Sequence, residues 1–140
     1  MEAPRAAVPE VDKSEEQWRQ ELGERRFEVL RRGGTERPWS GELVRNHADG
    51  SYRCAGCGNL LFASSAKFDS ACGWPSFTDP ASAASVVLLE DRSHGMVRTE
   101  VRCRRCGGHL GHVFDDGPGP SGQRWCINSL SLDFEPFELG

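Results

Sequence analysis

The sequence predicts a mainly β, antiparallel fold with short helices confined to the N-terminus. Three observations lead there. Helix start and stop signals occur only before residue 35. From Glu42 onward the chain breaks into short apolar segments divided by Gly, Pro, Asp and Ser, the punctuation of strands and turns. No strand–helix–strand spacing is present, and no repeat has a fixed period of 20 or more residues.

Residues 1–12 hold two prolines and mixed charge, and a mobile leader is expected there, ahead of a single domain over 13–140. Ser14-Glu15-Glu16-Gln17 fits a capping box, in which Ser14 accepts a backbone N–H and Gln17 reaches back. It opens a helix over about Glu15–Leu22, with Trp18 and Leu22 four apart on one face. A second helix, about Glu24–Arg32, sets Phe27 and Leu30 three apart and ends at Gly33-Gly34. Thr35–Gly41 reads as an extended loop around Pro38. Asp49-Gly50 is a turn dipeptide leading into a strand at Ser51–Cys54. Further strands are expected at Leu60–Phe62, Val86–Leu89, Met96–Arg102, His112–Phe114, Arg124–Leu130 and Leu132–Phe137. In the Met96–Arg102 segment Val97, Thr99 and Val101 alternate with polar partners. Gly117–Gly122 is a loop by composition.

Charge and composition narrow the function. Seventeen Lys and Arg against 21 Asp and Glu leave a net charge of −4, which argues against a general nucleic-acid binder and against an anionic membrane surface. The longest apolar run, near Ser85–Leu89, is too short to span a bilayer. The N-terminus has no apolar h-region, and Glu2, Glu10 and Asp12 do not suit a transit peptide. A cytoplasmic location is therefore expected, where six cysteines serve as metal ligands or redox catalysts rather than structural disulfides.

Four of the six are paired. Cys54-Ala55-Gly56-Cys57-Gly58 and Cys103-Arg104-Arg105-Cys106-Gly107 each follow a strand and carry glycine after the second cysteine. Two such knuckles supply four thiolates, a closed tetrahedral set suited to structural Zn²⁺. The wide gap between them implies that the metal clips two distant hairpins together. Iron in the same geometry, or two Cys-x-x-Cys disulfides, are the alternatives. The disulfide reading lacks its usual place before a helix in a βαβ unit.

The unpaired cysteines differ in setting. Strand periodicity puts Arg124, Cys126 and Asn128 on one face, and Trp125 and Ile127 on the other. A guanidinium beside a thiol lowers its pKa, as a nucleophile requires, although a buried inert cysteine fits the pattern equally well. Cys72 lies in the Gly- and Pro-punctuated stretch Phe68–Phe77, where a loop thiol can resolve a second sulfur or be incidental. Trp74 beside it suits a pocket wall or plain core packing. His109 and His112 are candidate acids or bases, or surface histidines; for His109, a replacement metal ligand is a third reading.

Together these segments resemble the methionine-R-sulfoxide reductases. The matching stretches are Gly34–Leu43, Tyr52–Phe62, Lys67–Phe77, Val101–Pro118 and Arg124–Phe134, in unbroken order across about Trp18–Phe137. The resemblance implies a β-tent of two antiparallel sheets. It makes Cys126 the nucleophile and Cys72 the resolving cysteine, with Trp74 against the substrate methyl group. His109, His112 and Asn128 then surround the sulfoxide, Arg124 and Asp116 flank the thiol, and Cys54, Cys57, Cys103 and Cys106 hold zinc. Trp39, Ala71 and Trp125 stand where the family pattern has Phe, Gly and Tyr or Phe. Ala71, beside Cys72, puts the freedom of the resolving loop in question.

The chemistry implied is attack of the Cys126 thiolate on the sulfoxide sulfur, with His109 or His112 as acid, leaving a sulfenic acid that Cys72 converts to a disulfide. Thioredoxin is the implied reductant, oxidised proteins the implied substrates, and a monomer the expected state. Two other classes compete. A zinc-ribbon interaction module leaves Cys72, Cys126, Arg124 and the histidines unassigned, and its only local basic cluster is Arg102, Arg104 and Arg105. A thiol peroxidase shares the sulfenic chemistry and differs in its oxidant.

Overall fold

The computed structural model describes residues 10–137. Helices α1 (Glu15–Leu22) and α2 (Glu24–Arg32) have the bounds the sequence predicts. The capping box is complete: Ser14 Oγ accepts from Gln17 N, and Gln17 Oε1 accepts from Ser14 N at 3.0 Å. Gly33 closes α2 in the left-handed region at φ 69°. The leader expected over 1–12 lies outside the described residues for positions 1–9; at position 11, Val11 N–H donates to Arg105 O at 2.9 Å and the side chain packs on the core.

Nine strands follow: β1 (Gly50–Cys54), β2 (Leu60–Ala63), β3 (Lys67–Phe68), β4 (Ser76–Phe77), β5 (Val86–Asp91), β6 (Arg98–Cys103), β7 (His109–Phe114), β8 (Arg124–Ile127) and β9 (Leu132–Pro136). All pairings are antiparallel, in a three-stranded sheet β2-β1-β9 and a six-stranded sheet β3-β4-β8-β7-β6-β5. The mainly β, two-sheet architecture with short N-terminal helices is therefore as expected.

The core lies where the sheets meet. Phe62 of the small sheet stacks on Phe77 of the large one with ring centroids 4.2 Å apart, and Tyr52 meets Phe77 edge-on at 5.0 Å. Leu61, Val101, Leu110, Trp125, Ile127 and Leu132 complete it. Both helices lay their apolar stripe on this core through Trp18, Phe27 and Leu30. Arg31 spans the seam, its guanidinium over the Trp18 ring and its Nη1 donating to Cys106 O at 2.8 Å.

Several boundaries differ from expectation for local physical reasons. Gly50 is the first residue of β1 and pairs with Pro136, so Asp49-Gly50 does not form a tight turn. Glycine is needed there because a Cβ would strike Glu135 O and the Phe134 ring. β8 stops at Ile127 rather than Leu130, because Asn128 leaves the ladder to open a 3₁₀ turn over Ser129–Ser131. β7 begins at His109, three residues earlier than expected. The pairs β3 and β4 are two residues long and have no periodicity to read, yet β4 sets Ser76 opposite Cys126.

β7 and β8 approach closely at Gly111, where an added Cβ would collide with Cys126 O. Gly111→Ala is therefore expected to destabilise the domain by about 3 kcal/mol, as overpacking in a rigid site does. Urea unfolding checks it: an unchanged midpoint would mean that the strands separate easily here.

Candidate active site

The paired cysteines form hairpin ends. Cys54 closes β1 and Cys57 sits in the turn to β2; Cys103 closes β6 and Cys106 sits in the turn to β7. Each turn is made by a glycine with positive φ, Gly58 at 81° and Gly107 at 75°. One hairpin belongs to each sheet, and their four sulfurs lie within 4.8 Å of one another. The Cys54–Cys106 and Cys57–Cys103 separations are 3.7 and 3.6 Å. A tetrahedron with metal–sulfur bonds of about 2.3 Å has edges of about 3.8 Å, so the set fits a four-coordinate ion. Gly56 N–H points at Cys54 Sγ from 3.4 Å and Asn59 Nδ2 at Cys103 Sγ from 3.7 Å, the donors a thiolate cluster needs.

The other two cysteines meet on the opposite side of the large sheet. Cys72 Sγ and Cys126 Sγ are 3.2 Å apart at a pocket of about 230 Å³ that Trp74, His112, Arg124 and Asn128 also line. As periodicity implies, Arg124, Cys126 and Asn128 share the pocket face while Trp125 and Ile127 enter the core. Ser70 Oγ donates to Cys72 Sγ at 2.9 Å, and Ser76 Oγ lies 3.3 Å from it. Hydrogen bonding from Cys126, helped by Ser70 and Ser76, overcomes burial and holds the Cys72 thiol down at about 4. The Cys72 thiol and burial push Cys126 up, and Arg124 only partly opposes them. In the reduced, singly charged form, then, the pair shares one proton, and Arg124 is not the dominant influence on Cys126. Arg124 is itself clamped, with Nε and Nη2 donating to the two Asp116 oxygens at 2.8 and 3.2 Å and its guanidinium over Phe114.

The histidines separate. His112 pairs directly with Cys126 across β7 and β8 and lines the pocket, whereas His109 is buried one step behind it, its Nδ1 2.7 Å from Glu100 Oε2. Asn128 is fixed by three bonds: its Oδ1 accepts from Glu36 N, and its Nδ2 and N donate to Leu110 O.

Residues 22–136 match the family model described as the SelR domain. The chain is 63% identical over 126 residues to the peptide methionine sulfoxide reductase MsrB of Bradyrhizobium diazoefficiens, covering 90% of this chain and 91% of that one. It is 55% identical over 130 residues to the MsrB of Methanosarcina barkeri, covering 93% and 92%. The chain belongs to the SelR family of methionine-R-sulfoxide reductases.

Several residues that hold the pocket's side chains in place carry no sequence signal. Asp91 Oδ2 lies 2.8 Å from His112 Nε2, and Glu100, at about 2, is stabilised by His109 and Arg102 against the effect of burial. Glu36 binds both pocket walls: its N–H donates to Asn128 and its carbonyl accepts from Trp74 Nε1 at 3.0 Å. These contacts come from strands and loops far apart in sequence, so no spacing reveals them. Thr35, Arg98, Gly111 and Phe114 also line the pocket. Ala71 causes no backbone strain, because the left-handed position of the loop is Gly73 at φ 89°, packed on Pro38.

The shared proton makes a paired expectation. Cys72→Ala should lower the pKa of Cys126, since only burial then opposes Arg124, and Cys126→Ala should raise that of Cys72. Alkylation rates followed by mass spectrometry across pH 4–9 test both, and shifts in the same direction would contradict the shared-proton arrangement.

Proposed function

We propose that the protein reduces the R epimer of methionine sulfoxide in oxidised proteins to methionine, through a sulfenic acid on Cys126 and a Cys72–Cys126 disulfide that thioredoxin reduces. The observation that carries this reading is the 3.2 Å approach of Cys72 and Cys126 inside a pocket bearing an aromatic wall and polar donors. The kinship with methionine sulfoxide reductases supplies the substrate class.

In this reading the sulfoxide's methyl group packs on Trp74, whose indole is held by Glu36 O. The sulfoxide oxygen faces His112 and Asn128. Cys126 passes its proton to the Cys72 thiolate 3.2 Å away and attacks the sulfoxide sulfur, and the sulfoxide oxygen takes a proton from His112 to become a hydroxyl. The hydroxyl then passes from the methionine sulfur to Cys126 Sγ as the transient S–S bond breaks, so methionine leaves reduced by two electrons and Cys126 is left as a sulfenic acid, oxidised by two. Cys72 Sγ attacks the sulfenic sulfur, water departs, and a disulfide forms between strand and loop. The Ser76–Cys126 pairing of β4 and β8 already brings the loop within reach, so resolution needs only a local approach of the two sulfurs. A dithiol then restores both thiols by exchange. His109, beside Glu100 and behind the pocket, orients the surroundings of His112. Asp116 aims Arg124.

Cys54, Cys57, Cys103 and Cys106 hold Zn²⁺ as a structural crosslink with no open coordination position. Among the described residues no helix is long and apolar enough to cross a membrane. A monomer working in the cytoplasm on protein substrates fits this chemistry, with no role for nucleic acid.

Cys126→Ser should abolish turnover of dabsylated methionine-R-sulfoxide with dithiothreitol, and the S epimer should not react with the unaltered protein. Cys72→Ser should release about one methionine per chain in a single turnover, accumulate a dimedone-reactive sulfenic acid, and fail to cycle with thioredoxin. Full cycling of Cys72→Ser with thioredoxin would remove the resolving role. Elemental analysis should find one zinc per chain, and Cys103→Ser should unfold the domain by losing both metal and inter-sheet link; a folded, metal-free chain would contradict the zinc assignment.

A further inference from the structure

A carboxylate that the proposed reaction does not use reaches the pocket's His112 from the hairpin between β5 and β6. Asp91 is the last residue of β5 and pairs in register with Arg98, the first of β6. Its Oδ1 accepts from Ser93 N at 2.9 Å, and its Oδ2 accepts from Arg98 Nη2 at 3.3 Å. The same Oδ2 lies 2.8 Å from His112 Nε2. The hairpin register, the turn and the arginine together leave the carboxylate little freedom to turn away.

Such a carboxylate accepts hydrogen bonds and donates none, and Ser93 and His112 keep Asp91 well below the usual carboxylate range. The ring nitrogen bonded to it must therefore carry the proton. In the neutral imidazole the lone pair is then on Nδ1, and protonation of the ring occurs at Nδ1. His112 makes no other side-chain hydrogen bond among the described residues, and its side chain lies opposite Cys126 on the pocket face.

We propose that Asp91 is a positioning residue for the sulfoxide chemistry: it fixes His112 in the Nε2–H form, so that Nδ1 is the nitrogen that takes up and delivers the proton in the pocket. This rests on the proposed reduction for its catalytic consequence, while the tautomer itself does not. A second effect follows from charge. His112 faces Asp91 from β5, Arg98 and Glu100 from β6, His109 from its own strand, and Arg124 and Cys126 from β8, with Cys72 on the adjoining loop. Burial lowers His112, with Arg98 and His109 adding to it, and Asp91 is the group that holds it up. A lowered histidine is protonated only at lower pH, so loss of Asp91 moves the usable acid form further from neutrality.

Nitrogen-15 spectra of the histidine ring across pH read the tautomer directly in the unaltered protein. The expected result is protonated Nε2 in neutral His112, with Nδ1 carrying the titration; a titrating Nε2 overturns the proposal. In Asp91→Asn the ring should titrate at lower pH. With dithiothreitol, the acid-dependent limb of kcat should move the same way, and kcat near neutrality should fall about 10–100-fold while KM stays within about twofold. Asp91→Glu should restore part of the rate. An Asp91→Asn protein with unchanged histidine titration, or with a raised KM at constant kcat, refutes the positioning role. If the unaltered protein shows the expected tautomer but reduces neither epimer, the proposed reaction fails and the Asp91–His112 assignment stands.

Discussion

Four cysteine sulfurs within 4.8 Å of one another are the contact on which the rest of the architecture depends. Four thiolates cannot remain that close without a cation between them, and four thiols would leave the knuckle N–H groups aimed at weak acceptors. Because one knuckle ends the β1–β2 hairpin and the other the β6–β7 hairpin, closing the cluster closes the two sheets on each other. The aromatic contacts of Phe62, Tyr52 and Phe77 fill the space that this closure defines. The clip also fixes the start of β7, and with it His109, His112 and the partner strand β8.

The thiol pocket is a product of that arrangement and sits apart from the clip. β8 lies between β7 and β4, so Cys126 has His112 on one side and Ser76 on the other. The loop between β3 and β4 carries Cys72 back toward Cys126, and two bonds tie it to the segment before Gly41: Trp39 N to Gly73 O at 2.7 Å and Trp74 Nε1 to Glu36 O at 3.0 Å. Trp39 reaches its partner with φ 67°, an uncommon value for a side-chain-bearing residue. The resolving loop of the proposed reaction is thus anchored at its tryptophan and glycine while the thiol between Ser70 and Ser76 stays next to its target.

Electrostatics in the pocket are collective. Arg124 beside Cys126 reads in the sequence as the activating charge, yet its guanidinium is committed to Asp116, and the larger influence on Cys126 is the neighbouring Cys72 thiol. Likewise each histidine has its own carboxylate, Glu100 for His109 and Asp91 for His112, so two chemically similar side chains three residues apart occupy different settings. Only His112 lines the cavity.

Both helices, the capping box and the Gly33 stop were legible in the sequence, because they depend on residues at most four apart. So were the two cysteine knuckles and the common face of Arg124, Cys126 and Asn128, since a tight turn and a period of two are local rules. The same rules failed at β3 and β4, each too short to show a period, and at Gly50, where glycine answers a close approach from β9 rather than a turn. They are silent about Asp91, Glu100 and Glu36, which act on site residues across strand pairings and loops, and about Ser70 and Ser76, which lie two and four residues from Cys72 but in an irregular loop with no period to place them. Local chain stiffness and backbone geometry determined which residues could form knuckles, helices and a reactive face. Only the tertiary structure decided which thiol, carboxylate and histidine meet, because strand register is set by the packing of two sheets and a two-residue β4 contributes nothing to it that can be read in isolation.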